Sequence, residues 1–395
     1  MLLRGATLLH GMTSSPDSPV IIIGASLAGC ATALRLSARG IPVLLIDKAS
    51  FPRRKACGEG LSARGIAELS RLGFDVLAGC PDYAWLEGYR VRTKSFPFDI
   101  ADGHAFLGVK RAALDAALLE QVRSYPSATL LTGSSVSDIE VSRDRFIVSI
   151  GDSRMSASQL VIADGANSRM LARLGYQLPE SRPRRVGSSS AWKVAEGKLP
   201  PFVQVFVYSG GEVYLTPTGS GDCNLSLLGT PEFVAQWGRE KELTRWATTH
   251  SEVLSARLEL ESAPLGAGPL NTSRRTAAWR GAFVVGDACE TLDPIGGMGM
   301  THAVISGRLA GDAVARALRS GESTAATAWY QREHAAVVRA MRGFTRMTGW
   351  MLASPAGQVV LPLAVSSGLA RRVSHAAHGE GTRSGWKVLL QAAGR

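Results

Sequence analysis

The segment from Val20 to Asp47 constrains the fold more than any other part of the chain. A short β-branched apolar run ends at Gly24, and small and apolar residues then recur at helical spacing up to Gly40. A second apolar run, IPVLLIDK, ends in an acid, so that Asp47 lies 23 residues after Gly24. A strand, a tight turn, a helix and a strand ending in an acid form the unit that binds dinucleotides. The segment therefore predicts an α/β domain with a nucleotide site at the turn, the alternative being an ordinary buried βαβ unit.

The turn carries Ser26 where the dinucleotide fingerprint usually has its second glycine. Gly24 makes the tight turn, and Gly29 lets the helix pack closely against the strand. The helix N-terminus offers free N–H groups and a positive dipole end to a pyrophosphate, and Asp47 can accept hydrogen bonds from the adenosine ribose. Serine is small and can donate a hydrogen bond, so we expect it to be tolerated and a Ser26→Gly change to be nearly neutral.

Two further segments place an apolar strand before an acid–glycine pair. In LVIADGANSRM the strand runs into Asp164 and Gly165, and a helix follows. In AFVVGDACETLDPIGGMGMT it runs into Gly286 and Asp287, and a proline and glycine loop leads to a helix from about Met300. Each segment alone is compatible with a surface turn. Three in this order indicate one nucleotide site assembled from distant parts of the chain.

Composition limits the other classes of function. The chain of 395 residues is 45% hydrophobic and 19% charged, which is typical of a globular protein. Its net charge is +11, but the arginines are scattered without a basic block interleaved with aromatics, so we expect no nucleic-acid binding. The cysteines lack zinc-ligand spacing and favour a reducing compartment, so we expect no metal site and a cytoplasmic protein. His375 and His378 could share a helix face, and we interpret them as solvated surface residues.

The first residues have too short an apolar stretch for a secretory signal. We interpret residues 1–18 as a disordered leader, with Met12 as an alternative start. Residues 347–370 contain no charged side chain, but Pro355 and Pro362 interrupt the run. A membrane-spanning helix needs about 20 predominantly apolar residues. We therefore expect a buried or interfacial lid, and at most a peripheral membrane contact.

Together these motifs resemble those of FAD-dependent oxidoreductases with the para-hydroxybenzoate hydroxylase fold. The resemblance covers about residues 19–330 and rests on the fingerprint, ADGANS and GDACETLDPIGGMGM, in the order typical of the superfamily. FPRRKACGEGLSARGIAEL (51–69) and VISGRLAG (304–311) are similar to the geranylgeranyl-reductase-like branch, where a serine in the fingerprint is a known variation. The implied fold class is α/β, with a Rossmann-like FAD-binding domain interleaved with an antiparallel β-sheet substrate domain and followed by C-terminal helices.

The resemblance implies FAD as the cofactor and NADPH or NADH as the reductant. It places Asp287 at the ribityl and pyrophosphate region, and Asp164 with Gly165 at the pyrophosphate. Arg111 would pair with a phosphate, the alternative being a solvated helix arginine. The helix from about Met300 would direct its N–H groups at the N1–C2=O edge of the flavin. The residues that we assign to cofactor binding are Gly24, Ser26, Leu27, Ala28, Gly29, Asp47, Lys48, Lys55, Cys57, Arg111, Asp164, Gly165, Gly286, Asp287, Pro294, Gly296, Gly297, Gly299, Met300 and Thr301.

Cys57 is the candidate catalytic residue. The resemblance implies that it lies near the flavin, where its thiol could protonate a carbanion after hydride delivery. Lys55 nearby could lower the pKa of this thiol. The alternative is a small packing residue beside the cofactor.

Alternating apolar and polar residues at 87–100 and 188–228 indicate an antiparallel sheet between the nucleotide motifs. We therefore expect interleaved domains. Residues 19–85, 105–180 and 270–330 would form the FAD-binding domain. Residues 86–104 and 181–269 would form the substrate sheet over the flavin, and residues 331–395 a C-terminal helical segment.

The resemblance implies two principal reactions. A monooxygenase would use O₂ to hydroxylate or epoxidise an apolar, prenylated or alkylated aromatic small molecule. It is favoured because PIGGMGMT resembles hydroxylases and epoxidases, and because Tyr214 and Pro217 alone remain of the YxWxFP pattern of prenyl reductases. The alternative is a reductase of prenyl double bonds, which PRRKACGEGL and SGRLAG favour. A halogenase is less well supported, since Trp192 stands without the rest of a WxWxIP signature. We expect a monomer or a weak oligomer.

Overall fold

The computed structural model describes residues 20–93, 97–142, 145–177, 185–270 and 273–378. The predicted leader at 1–18 with Met12 lies outside the described residues, as do residues 178–184 and 379–395 of the other predicted segments. Within the described ranges the helices are α1 (Leu27–Ser37), α2 (Ala63–Arg71), α3 (Val76–Gly79), α4 (Arg111–Arg123), α5 (Arg169–Arg173), α6 (Pro231–Trp237), α7 (Glu240–Thr249), α8 (Ser251–Leu254), α9 (Gly299–Ser320), α10 (Ser323–Ala353), α11 (Pro355–Ser366) and α12 (Leu369–His378).

The strands in the same ranges are β1 (Val20–Ile23), β2 (Val43–Asp47), β3 (Gly60–Ser62), β4 (Ala84–Arg92), β5 (Pro97–Gly108), β6 (Ala128–Thr132), β7 (Val136–Ser142), β8 (Arg145–Ile150), β9 (Ser153–Ala157), β10 (Leu160–Ile162), β11 (Val186–Gly197), β12 (Val203–Tyr208), β13 (Gly211–Gly219), β14 (Asp222–Gly229), β15 (Ala256–Leu260), β16 (Leu265–Ala267), β17 (Ser273–Arg274), β18 (Ala278–Trp279), β19 (Ala282–Val284) and β20 (Glu290–Thr291). Two short 3-10 helices cover Gly286–Ala288 and Pro294–Gly296.

The first sheet has six strands in the order β18-β19-β10-β1-β2-β6. All neighbours run parallel except β18 and β19. Every residue of β1 and β2 is buried because both faces of the sheet are covered. Val20 and Ile22 face the layer that contains α1 and α9, whereas Ile21 and Ile23 face the layer of β7–β9 and α5. Uninterrupted apolar runs are typical of such doubly covered parallel strands, and the predicted α/β class is confirmed.

Glycines set the distance between α9 and α1. A Cβ atom on Gly307 would lie 2.2 Å from the carbonyl oxygen of Ala28. The Thr32 hydroxyl donates a hydrogen bond of 3.0 Å to the carbonyl of Gly307 across the same crossing. The VISGRLAG segment therefore lets the two helices pack at close range.

The second sheet has nine strands, eight of them in the order β15-β11-β14-β13-β12-β4-β5-β3, and the ninth, β16, pairs with β11. Its neighbours are antiparallel except β12 and β4. One face is packed by α6, α7 and α8 around Trp192 and Trp246. The other face packs against Ile295 and against side chains of α10 and α11, such as Leu352 and Leu361. The predicted domain boundaries at 85/86 and 104/105 fall inside β4 and β5. The chain passes between the two sheets at the ends of these strands.

The uncharged segment 347–370 forms the end of α10, all of α11 and the start of α12. These helices pack over the second sheet, where Leu361 is buried and Val359 is exposed. Among the described residues, no helix combines the length and the apolar character that crossing a bilayer requires.

Candidate active site

The turn between β1 and α1 depends on two glycines at which a side chain would collide with the backbone. Gly24 adopts a φ of +107°, and a Cβ atom there would lie 2.3 Å from the carbonyl oxygen of Ala163. A Cβ atom on Gly29 would lie 1.8 Å from the carbonyl oxygen of Gly24. The turn is therefore closed against the residue that follows β10.

Asp47 and the start of α1 provide the donors and acceptors of this turn. The Asp47 carboxylate accepts hydrogen bonds from the N–H groups of Ala25, at 2.7 Å, and Ala49, at 2.8 Å. Ser26 makes no side-chain cap, so the first N–H groups of α1 are available to a ligand. The side chains of Leu27 and Ala28 are buried, and these two residues can therefore contribute their backbone only.

Ser26 takes part in a buried polar cluster rather than only fitting the turn. Its hydroxyl accepts a hydrogen bond of 2.8 Å from Arg111 and donates one of 3.2 Å to Asp115. Arg111 and Asp115 also form an ion pair at 3.0 Å. Arg111 is 4% exposed, so it is not the solvated arginine of the alternative interpretation. Glycine at position 26 would remove both hydrogen bonds, and a Ser26→Gly change is no longer expected to be neutral.

Further cations lie beside this cluster. Arg53 lies 3.6 Å from the Asp115 carboxylate, which therefore faces two guanidinium groups. Burial and the charge of Arg111 lower the pKa of Lys55. Within the described part of the chain, the Lys55 ammonium forms no ion pair or hydrogen bond. Glu59 accepts from the N–H of Arg111 at 2.8 Å, and Asp287 acts on Lys55 together with Asp115. The three cations, beside a helix N-terminus, fit a diphosphate. Arg53 was not assigned from the sequence, and its only signal was its place in FPRRKACG.

The two acid–glycine loops are joined by Arg275, which sequence analysis missed. Its guanidinium donates to the carbonyl of Asp287 at 2.6 Å and to the carbonyl of Ala166. The Asp164 carboxylate accepts a hydrogen bond of 3.0 Å from the N–H of Met170, and burial raises the pKa of Asp164. The Asp287 carboxylate is half-buried and has no hydrogen-bond partner among the described residues. Asp164 therefore stabilises its own loop, whereas Asp287 is available to ribityl hydroxyls.

The loop from Pro294 to Thr301 leads into α9, which begins at Gly299 without a side-chain cap. Pro294 and Gly299 are exposed, and a Cβ atom on Gly299 would meet nothing within 4 Å. Met300 is buried in the core, and the Thr301 hydroxyl lies 2.7 Å from that of Ser62. Met300 and Thr301 can therefore contribute to the predicted cofactor site only through their backbone N–H groups.

The remaining assigned glycines differ in their surroundings. A Cβ atom on Gly296 would lie 2.4 Å from the Thr345 hydroxyl, and a Cβ atom on Gly297 would lie 2.8 Å from the Tyr89 hydroxyl. These two glycines bring the loop close to α10 and β4, in addition to leaving the predicted ring face uncovered. A Cβ atom on Gly286 would lie 3.0 Å from Ala28, whereas Gly165 faces open space. Lys48 is exposed beside Asp47.

Cys57 connects the loop before β3 to the second sheet. Its N–H donates to the Ser189 hydroxyl at 3.2 Å, and its carbonyl accepts from the Ser226 hydroxyl at 3.3 Å. The sulfur accepts a hydrogen bond of 3.4 Å from the N–H of Glu59. Burial alone would lower the pKa of Arg111, but Asp115 and the neighbouring Cys57 sulfur raise it. The cation beside the sulfur is therefore Arg111, where the sequence suggested Lys55.

A cavity lies between the second sheet and the C-terminal helices. It holds about 810 Å³ of empty space, part of which is open to solvent. Alternate residues of β4 and β5 line one side, α10–α12 line the other, and Ile295 with Gly296 closes one end. The walls are almost entirely apolar, and Cys57 is not among the lining residues that the structure describes. Sequence analysis named Tyr214 and Gly296 for other reasons and predicted a buried or interfacial lid at 347–370, but it did not bring these segments together, because they lie far apart along the chain.

Comparison with known proteins assigns a family to these elements. The FAD binding domain family matches residues 17–345 of the chain. The menaquinone reductase of Mycolicibacterium smegmatis is 26% identical over 324 residues, which cover 74% of this chain and 75% of that protein. The digeranylgeranylglycerophospholipid reductase of Methanosarcina acetivorans is 25% identical over 324 residues, covering 77% of this chain and 76% of that protein.

Among solved structures, P. aeruginosa PqsL in complex with 2-aminobenzoylacetate is similar, with a TM-score of 0.71 and 20% sequence identity. The match covers 86% of this chain and 98% of PqsL. At this identity the likeness concerns the fold alone.

Proposed function

Since the chain belongs to the FAD binding domain family and is an FAD-dependent oxidoreductase, we propose that it is a monooxygenase that uses NAD(P)H. The substrate would be an apolar, prenylated or alkylated aromatic small molecule, which is hydroxylated or epoxidised. One oxygen atom of O₂ enters the product and the other leaves as water, and NAD(P)H supplies the two electrons. Bound FAD would supply the redox chemistry that links NAD(P)H to O₂.

The described residues fit the diphosphate, the ribityl chain and the N1–C2=O edge of FAD. The N-terminus of α1, with Arg53, Lys55 and Arg111, would hold the diphosphate. The unpartnered Asp287 carboxylate would accept hydrogen bonds from the ribityl chain. The uncapped N-terminus of α9 would stabilise negative charge at the N1–C2=O edge of the flavin. The apolar cavity would exclude water from the substrate.

The position of Cys57 carries the preference for oxygenation. A reductase needs a proton donor at the substrate carbon, and the candidate for that role is the Cys57 thiol. Its sulfur lies beside Glu59 and Arg111, and the residue is absent from the described cavity wall. Oxygen transfer requires no protein group to deliver a proton to the substrate carbon, so this arrangement supports the monooxygenase.

The second candidate is a flavin reductase of prenyl double bonds. It is favoured by the similarity to a menaquinone reductase and a digeranylgeranylglycerophospholipid reductase. In that case Cys57 would be the catalytic residue, and the loop that carries it would have to bring the thiol to the cavity. A halogenase remains the least supported alternative. Trp192 is fully buried and donates to the Ser190 hydroxyl at 2.8 Å, so it stabilises the sheet.

One probe distinguishes the two reactions, because 4-geranylphenol contains both an electron-rich ring and prenyl double bonds. With NADPH or NADH and ¹⁸O₂, we expect a product that contains one ¹⁸O atom, measured by mass spectrometry. A Cys57→Ser variant should give the same product at a similar rate. Gain of two hydrogen atoms under argon, lost in Cys57→Ser, would contradict the proposal and establish the reductase.

We also propose that the protein contacts membranes through a patch on its C-terminal helices. Trp350, Val359, Leu363 and Leu369 are 48%, 72%, 69% and 52% exposed. Leu369 also lines the cavity, so the patch is continuous with the space that would receive an apolar substrate. The exposed pair Arg371 and Arg372 follows it, and basic side chains next to apolar ones favour anionic lipid surfaces.

A double variant Val359→Glu/Leu363→Glu is expected to bind vesicles of phosphatidylglycerol and phosphatidylcholine about tenfold more weakly. Cosedimentation measures this affinity, and FAD content should not change. The matched control is Val141→Glu/Val253→Glu, because both valines are exposed but belong to other parts of the molecule. Equal loss in both double variants would show that net charge, rather than the patch, determines vesicle binding.

A further inference from the structure

His378 is a buried histidine at the end of α12 that lines the cavity. It is 1% exposed, and neither ring nitrogen has a hydrogen-bond partner in the described part of the protein. The expectation that His375 and His378 are both solvated is therefore correct for His375 only. Buried polar groups are nearly always hydrogen-bonded, so two free ring nitrogens facing a cavity need an explanation.

The ring of His378 lies where the cavity meets the loop that leads into α9. Its Cε1 atom is 3.5 Å from the position that a Cβ atom on Gly297 would take, and the Tyr89 hydroxyl is 2.8 Å from the same position. Edge-to-face contacts with Phe106, at 4.7 Å between centroids, and Phe344, at 5.1 Å, hold the imidazole in place. Packing thus fixes a polar ring at the end of the cavity next to the predicted flavin loop.

A second unpartnered polar group belongs to the same cavity. Tyr214 of β13 is one of its lining residues, and the buried Tyr214 hydroxyl has no hydrogen-bond partner among the described residues. The other lining residues are mainly aliphatic and aromatic. Ser374 of α12 also lines the cavity, and its buried hydroxyl has no partner among the described residues either. The cavity therefore combines a long apolar wall with a few unpartnered hydrogen-bonding groups.

The charge of the cavity limits which ligand groups can bind. Burial lowers the pKa of His378 to about 3, so the ring is neutral at physiological pH and offers one donor and one acceptor. The cavity wall, as far as it is described, contains no lysine, arginine, aspartate or glutamate. Arg185 acts on Tyr214 from nearby, but it is paired with Glu212 at 2.5 Å and with Asp293 at 3.2 Å. A carboxylate or phosphate would be desolvated there without a free cation.

On the basis of the proposed function, we propose that His378, together with Tyr214, binds an uncharged oxygen substituent on the substrate ring. This oxygen would be a hydroxyl or a carbonyl group, and the apolar substituent of the ring would occupy the rest of the cavity. His378 is then a specificity-determining residue that orients the ring against the loop from Pro294 to Thr301. It selects neutral phenols and related oxygenated rings over rings that carry a carboxylate or no oxygen.

The test compares three probes of one shape on the FAD-loaded protein by isothermal titration calorimetry. These are 4-pentylphenol, pentylbenzene and 4-pentylbenzoate. We expect 4-pentylphenol to bind about tenfold more tightly than the other two, the effect of one net hydrogen bond in a buried site. In His378→Phe the preference over pentylbenzene should fall to about twofold, with the affinity for pentylbenzene unchanged. The matched control is His375→Phe, on the exposed side of the same helix, which should keep the wild-type preference.

The outcomes separate this inference from the proposed function. The inference is overturned if His378→Phe leaves the phenol preference intact, or if neither neutral probe binds. In either case, FAD absorbance and ¹⁸O incorporation would still support the monooxygenase. A preference that depends on His378 in a protein that reduces prenyl bonds or lacks FAD upholds the binding site and overturns the proposed reaction. If His378→Phe lowers the melting temperature strongly, Tyr214→Phe, which removes a single oxygen atom, must reduce the phenol preference for the inference to stand.

Discussion

Replacing Gly29 by alanine is expected to abolish FAD binding and to destabilise the protein. The new Cβ atom would lie 1.8 Å from the carbonyl oxygen of Gly24, so α1 would have to move away from the turn. Such a shift displaces the N–H groups that would hold the diphosphate. Forced backbone movement of this kind costs about 1–3 kcal/mol, which corresponds to a fall in melting temperature of up to about 4 °C for a chain of this length. Flavin absorbance per protein and thermal unfolding measure the two effects.

The matched control is Gly343→Ala. Gly343 lies on the exposed side of α10, and a Cβ atom there would meet nothing within 4 Å. Alanine in an open helix position should be neutral or stabilise the protein by about 0.5–1 kcal/mol. If Gly29→Ala retained FAD and melted like Gly343→Ala, the geometry of the turn described above would be incorrect.

Replacing Asp287 by alanine is expected to weaken FAD binding by about 10- to 100-fold, since hydrogen bonds to a charged acceptor contribute about 1.5–3 kcal/mol. The fold should persist, because the side chain has no partner in the described protein and Arg275 contacts the main chain of Asp287. Fluorescence titration of the apoprotein with FAD gives the dissociation constants.

Two further variants test the role of Asp287 in FAD binding. Asp287→Asn, which keeps an acceptor but removes the charge, should lose less affinity than Asp287→Ala. Ser26→Gly removes the hydroxyl that joins Arg111 and Asp115, and about 1 kcal/mol of stabilisation is expected to be lost with it. If Ser26→Gly released the cofactor and Asp287→Ala retained it, the assignment of the ribityl site to Asp287 would be wrong.

The predicted nucleotide-binding residues around the turn between β1 and α1, here called the nucleotide frame, depend on other contacts than the cavity does. The variants therefore probe the two separately. The frame relies on backbone approach at Gly24 and Gly29 and on buried charges around Asp115. The cavity relies on side chains of β4, β5 and α10–α12, with His378 as its distinctive polar group. Changes at His378 should therefore alter ligand choice without altering FAD content.

The sequence by itself determined the nucleotide frame, because the constraints there are local. An apolar strand, a glycine turn, a helix and a terminal acid are neighbours along the chain. In the structure Gly24 and Gly29 lie where the backbone packs most closely, and Asp47 accepts from the N–H of Ala25 in the same turn. The start of α9 was predicted at about Met300 and lies at Gly299. The α/β class and the FAD family follow from these short-range signals.

Only the tertiary structure decided which distant side chains meet. Arg275 joins the Asp164 and Asp287 loops through main-chain carbonyls, and a side chain that binds carbonyls leaves no residue pattern to recognise. Arg53 meets Asp115 because the loop before β3 folds back onto α4, whereas Arg111 contacts Asp115 from one turn away on the same helix. His378 was expected at the surface, since a histidine in a polar helix segment is usually solvated. It is buried because α12 turns that face towards β5 and α10, and β5 lies far from α12 along the chain.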